Sequence, residues 1–150
     1  MRMVLPIAVG WLIAGTLDII YAITAHGLRG VPAIKIWQSV ASGVQGAEAY
    51  SGGMASAILG GGLHYFIILI MASVYVGASQ IFPILTSRPV ASGLAYGVVL
   101  MGVMNYIVVP LSAAVPGKVP EGWYFVGAIF AHTCLVGLPI ALAAAKLTDR

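Results

Sequence analysis

A chain of 150 residues that is 61% hydrophobic and only 7% charged is not an ordinary soluble domain, in which about a quarter of the residues are charged. Its formal charge of +3 is small and scattered, which argues against a nucleic-acid surface and suits loop charges beside anionic lipid. One cysteine, Cys134, excludes an intramolecular disulfide, and no Walker loop, Cys-x-x-Cys or His-Glu-x-x-His occurs.

Four long apolar segments account for most of the chain, so the expectation is one integral membrane domain over residues 1–150. Segment one runs from about 4 to 25. It is too long for a signal-peptide core of 7–15 residues and carries Asp18 inside it, so it reads as a retained helix. Residues 26–54 form the only long connection. Pro32 opens a predicted helix, about 33–44, on which Val31, Ile34, Trp37, Val40, Ala41 and Val44 make an apolar stripe. Lys35, Gln38, Ser39 and Ser42 lie off that stripe, and the helix is expected to lie in the membrane interface.

Segment two, about 55–82, is free of formal charge and carries His64. Pro83 is expected to end it. Thr86 or Ser87 can cap segment three, whose first turn accommodates Pro89. Segment three, about 89–112, holds Gly93-x-x-x-Gly97, a spacing that lets helix backbones approach closely and only weakly suggests a dimer. Pro110 is expected to end its regular helix, and a turn containing Pro116, Gly117 and Pro120 follows. Segment four, about 123–146, starts on the interfacial anchors Trp123 and Tyr124. Pro139 is expected to kink it and to free the carbonyl of Leu135.

The fold expected is therefore all-α: four transmembrane helices in an up-down bundle, with a short interfacial helix in the first connection. Four spans put both termini on one side, together with Arg2, Arg88, Lys146 and Arg150. Arg29, Lys35 and Lys118 lie on the other. The excess of positive charge places the termini in the cytoplasm.

Each span carries one polar side chain at a matching distance from the connection end: Asp18, His64, Asn105 and His132. At 1.5 Å per residue, all four fall roughly 10–14 Å from that end. Small residues flank them, Ala14 and Gly15 beside Asp18, Gly60 and Gly61 beside His64, Gly97 and Gly102 beside Asn105. Bulky Ile67, Ile70 and Val76 are expected to point elsewhere. A charged aspartate at the bilayer centre costs about 2.5–3.5 kcal/mol, so Asp18 should face the interior.

The leading reading is a structural or accessory membrane protein whose buried polar layer fixes helix register, with the lipid bilayer and a homo-oligomer or larger membrane complex as partners. A second reading is a small transporter or proton-linked channel. A third is a haem- or quinone-binding electron carrier in which His64 and His132 ligate haem b from opposite sides. A metal site of both histidines with Asp18 matches no known metal-binding spacing. No serine sits on a sharp turn with a defined base, so no hydrolase is proposed.

The order Leu63-His64-Tyr65-Phe66, then Ala78-Ser79-Gln80-Ile81-Phe82-Pro83, Gly93-Leu-Ala-Tyr-Gly97, Asn105-Tyr-Ile-Val-Val-Pro-Leu-Ser112 and Phe130-Ala-His132 resembles the YagU-like small bacterial four-helix inner-membrane proteins of unknown function. The likeness is one of layout and short matches over roughly residues 8–146. It implies a bacterial inner-membrane setting and no established enzyme activity. The group's loose link to acid tolerance would suit a buried Asp and His layer. The connection here is shorter and lacks cysteines, so a role tied to that region does not carry over.

Overall fold

The computed structural model describes residues 3–114 and 122–148. The terminal charges Arg2 and Arg150, together with Lys118 and the expected turn at Pro116, Gly117 and Pro120, lie outside them. The described residues form α1 (Val4–Gly27), α2 (Ala33–Gln45), a 3₁₀ turn (Gly46–Tyr50), α3 (Gly53–Ser79), a single turn α4 (Ile84–Ser87), α5 (Pro89–Leu111) and α6 (Trp123–Leu147). The four long helices have 24, 27, 23 and 25 residues. At 1.5 Å per residue each exceeds the ~30 Å hydrocarbon core.

Their surface is apolar where a soluble protein's would be charged. Leu12, Leu17, Phe66, Val74, Val98, Ile107 and Val126 are all exposed. A continuous apolar exterior of this kind is the lipid face of a membrane bundle.

α3 ends three residues before the expected Phe82. The residue before a proline is pushed out of the helical region, and the chain turns through Gln80–Pro83 into α4. Neither Thr86 nor Ser87 caps α5. Their hydroxyls donate back to the carbonyls of Pro83 and Ile84, and Arg88 occupies the cap position without a side-chain bond.

Pro110 closes α5, which ends one residue later at Leu111 with Ser112 already extended. Both internal prolines follow a π-helical stretch, Met104–Val108 before Pro110 and Ala131–Gly137 before Pro139. A proline lacks the N–H for the i−4 carbonyl and its ring crowds that carbonyl. A wide turn just upstream lets a membrane helix continue past it. Asn105 and His132 lie inside these two wide turns.

α6 is the central helix. It packs along α1, along α5 and, toward the termini, against α3. α1 and α6 run antiparallel, with Gly10 against Ile140 and Ala143, and Tyr21 against Phe130 at 5.8 Å between rings. α5 and α6 run antiparallel in closer contact. A Cβ on Gly97 would strike the backbone of His132 and Thr133, and one on Gly93 would come within 2.9 Å of the Gly137 carbonyl. The small-residue motif is thus used inside the chain to bring α5 onto α6.

The packed core lies in the half of the bundle nearer the termini. It is built from Ala14, Ile68, Ala72, Tyr75, Val76, Ile140, Ala141 and Ala144. Val76, expected to point away, is fully buried there. The Tyr96 hydroxyl crosses from α5 to the Met71 carbonyl of α3 at 2.8 Å. Tyr96→Phe is expected to cost about 1 kcal/mol, seen as a lower melting temperature in detergent with an unchanged helical spectrum.

At the other end, where α1 finishes and α3 begins (the connection end), α2 docks on α3. The Trp37 carbonyl lies where a Gly60 Cβ would be, so only glycine admits this contact. The face turned inward is not the predicted stripe. Of that stripe only Ala41 is buried and Val44 is exposed, while Ile36, Gln38 and Ser42, which lie off it, are buried. Gln38 Nε2 donates to the Gly53 carbonyl at 3.0 Å and ties α2 to the start of α3. The Ala113 N–H donates to the Gly43 carbonyl at 2.9 Å, so the far end of α2 reaches the end of α5. Arg29 stacks 3.9 Å above the Tyr124 ring and links the first connection to the start of α6.

Candidate functional site

α1, α2 and α3 enclose a half-open cavity of about 380 Å³ at the connection end. Its polar lining is Asp18 and His26 from α1, Lys35 and Ser39 from α2, Tyr50 from the 3₁₀ turn and His64 from α3. Each helix arrives there for a physical reason. Ala14 and Gly15 are small, so α3 can approach α1. A Cβ on Gly15 would lie 2.7 Å from the Tyr65 ring. Trp11 Nε1 donates to the Tyr65 carbonyl at 2.6 Å and the rings of these two residues meet edge to face at 6.1 Å. On the other side, Gly60 admits α2, whose Lys35 and Ser39 are four residues apart and share the face that lines the cavity.

His64 is 7% exposed. Its Nε2 lies 2.9 Å from the Gly15 carbonyl. A carbonyl can only accept, so Nε2 carries the proton and Nδ1 is the ring's acceptor in the neutral form. The Trp37 and Tyr65 rings stand edge-on to the imidazole at 6.0 and 5.2 Å and hold its plane.

Asp18 lies one helical turn from Gly15 and lines the same cavity. Its carboxylate makes no hydrogen bond and no ion pair among the described residues. His64 lines that cavity with it, and the antiparallel register of α1 and α6 brings His132 to its level along the bundle. Gly10 meets Ile140 and Tyr21 meets Phe130, so Asp18 is level with His132.

His132 itself bonds within its own helix, Nδ1 to the Ala128 carbonyl at 2.9 Å, and does not line the cavity. Asn105 also bonds within its helix, Nδ2 to the Met101 carbonyl at 2.8 Å. It faces a separate apolar groove of about 240 Å³ between α5 and α6, with Met101, Gly102, Tyr106, Phe125 and Ile129. Gly97 is the residue of α5 level with His132, and Asn105 lies about 12 Å farther along the helix.

The four polar residues therefore do not form one layer. Asp18, His64 and His132 come together around α1, and Asn105 is displaced toward the connection end. No side-chain to side-chain hydrogen bond joins any two of the four among the described residues. Of the hydrogen bonds these four side chains make among the described residues, only that from His64 to Gly15 crosses between helices. Of the two histidines put forward as haem ligands, His64 lines this cavity and His132 does not. Among the described residues no three His, Cys, Asp or Glu side chains are placed to hold a metal ion.

Lys35, Ser39 and Tyr50 complete the site and were not expected in it. Lys35 and Ser39 read as the solvated face of an interfacial helix. Their i, i+4 spacing opposite a glycine pair in the next segment was the available signal.

Fold and surface together define a multi-pass helical membrane protein with four apolar spans and, among the described residues, a polar cavity at the connection end. No family model, curated protein or solved structure matches the chain.

Proposed function

We propose that the protein is a small proton-linked carrier of a bacterial inner membrane, and that Asp18 and His64 exchange the proton. The termini lie in the cytoplasm, following the charge excess, and the cavity opens outward. The observation that carries this reading is the Asp18 carboxylate, held inside an apolar span at a cavity wall with no hydrogen-bond partner among the described residues. A residue kept only to tie helices together would use its oxygens to do so, since an unsatisfied carboxylate is costly in hydrocarbon. An acid that must take up and release a proton has to leave those oxygens free.

His64 suits the partner role. Its Nε2–H is fixed by Gly15 and its ring plane by Trp37 and Tyr65, so protonation at Nδ1 needs no reorientation. Toward the termini the path is closed by Ala14, Ile68, Ala72 and Ile140. The arrangement is that of a carrier open on one side, not of a continuous pore. A YagU-like kinship, with its association with acid tolerance, agrees with proton handling at this pair.

The test is proton uptake into liposomes holding a pH-sensitive dye, with an imposed pH gradient and a potassium–valinomycin clamp. The reconstituted protein is expected to accelerate dye acidification, and Asp18→Asn to return it to the rate of empty liposomes. His64→Gln is expected to slow it by about a hundredfold, the low end of the 10²–10⁴ range typical of lost acid–base groups. Equal rates in wild type and Asp18→Asn would reject the proposal.

A further inference from the structure

Asp18 and Lys35 face the same cavity with opposite formal charges, yet form no ion pair among the described residues. We infer that the cavity binds a small zwitterion, an amino carboxylate, with its ammonium on Asp18 and its carboxylate on Lys35. This rests on the reading of the cavity as the working site and names what it carries.

The size is right for such a ligand. About 380 Å³ lies at the small end of the range for ligand pockets, roughly 300–1,000 Å³. The charge is right as well. Asp18 is the only carboxylate and Lys35 the only ammonium among the lining residues, so their formal charges cancel. A simple amine would satisfy Asp18 and meet Lys35 as a like charge. A simple carboxylate would satisfy Lys35 and meet Asp18. A molecule carrying both groups satisfies both.

The positions also fit. Lys35 Nζ donates to the Tyr50 carbonyl at 2.7 Å, which fixes the ammonium and leaves it two further N–H groups to donate. Asp18 has its acceptor capacity free among the described residues. The same lining includes Ile19, Ile36 and Val40, an apolar surface for the hydrocarbon part of the ligand. A resident metal ion fits less well, because among the described residues Asp18 and His64 have no third His, Cys, Asp or Glu beside them.

The experiment is calorimetric titration of the full-length protein in detergent, at one pH, with a series from glycine through 4-aminobutanoate to 6-aminohexanoate. Butylamine and butanoate serve as single-charge controls. The best amino carboxylate is expected to bind at least about tenfold more tightly than either control, a difference of 1.4 kcal/mol. Lys35→Gln is expected to weaken it about tenfold, to the level of butylamine, and to leave butylamine unchanged or tighter. Asp18→Asn is expected to weaken the amino carboxylate and butylamine alike.

Butylamine binding as tightly as every amino carboxylate would overturn the inference, as would an amino carboxylate whose affinity Lys35→Gln leaves untouched. Absence of heat for the whole series overturns it too. The proton-linked reading is scored separately, by dye acidification in liposomes with and without the best-binding amino carboxylate. Flux without binding would remove the zwitterion alone, and binding with no flux in either condition would remove the proton linkage alone.

Discussion

Gly97→Ala is expected to destabilise the protein by about 3 kcal/mol, the upper part of the usual range for overpacking. One methyl group suffices because the atoms it meets are backbone. The Cβ would lie within collision distance of the His132 carbonyl and the Thr133 Cα, and neither can rotate away. Relief requires α5 to part from α6 along the contact that also holds Gly93 against Gly137. Gly102→Ala is the matched control. It lies on the same helix at a comparable spacing, but a Cβ there meets nothing within 4 Å. Alanine is the better helix former by roughly 1 kcal/mol, so this variant should melt at the wild-type temperature or above it. Melting followed by circular dichroism in detergent distinguishes the pair. Equal losses in both would mean that α5 does not meet α6 through its Gly93–Gly97 face.

The four spans were legible in the sequence because hydropathy and length decide them almost alone. Their ends were read to within about three residues, and the bundle followed. The site was legible in part. Asp18 could be assigned to the interior from the cost of its charge, and the small residues Ala14 and Gly15 beside it do admit α3. Asn105 was misplaced for a geometric reason. Counting depth from helix ends assumes that the ends are coplanar, whereas the contact of Gly97 with His132 staggers α5 so that Asn105 projects toward the connection end.

Gly60 was read as a surface for another span, but it receives the short helix α2. Hydropathy does not distinguish these two partners, because a glycine face records close approach and not what approaches. Lys35 escaped notice for the same reason. Its helix looked amphipathic enough to lie on a membrane, and only the contact at Gly60 turns its polar side to the cavity. Pro110 read as a stop, and α5 does end one residue beyond it, but the wide turns Met104–Val108 and Ala131–Gly137 ahead of the two internal prolines left no mark in hydropathy.

The second large effect separates a working acid from a structural one. Asp18→Asn is expected to abolish proton uptake while leaving the fold as stable as wild type or more so. Asparagine keeps the shape and removes a potential charge whose place in a span costs about 2.5–3.5 kcal/mol. No hydrogen bond is lost with it, because the carboxylate makes none among the described residues. Had Asp18 been one half of a buried pair holding helices together, its neutralisation would cost about 3–5 kcal/mol. The opposite signs make this the most informative variant of the chain.

Melting curves of wild type and Asp18→Asn, taken on the same detergent preparations used for reconstitution, therefore test the central point most directly. An unchanged or higher midpoint in Asp18→Asn, with proton flux gone, is the result expected of an unpaired carboxylate at a working cavity. A midpoint lowered by several degrees, with flux unaffected, would contradict it and return Asp18 to the role of a structural tie.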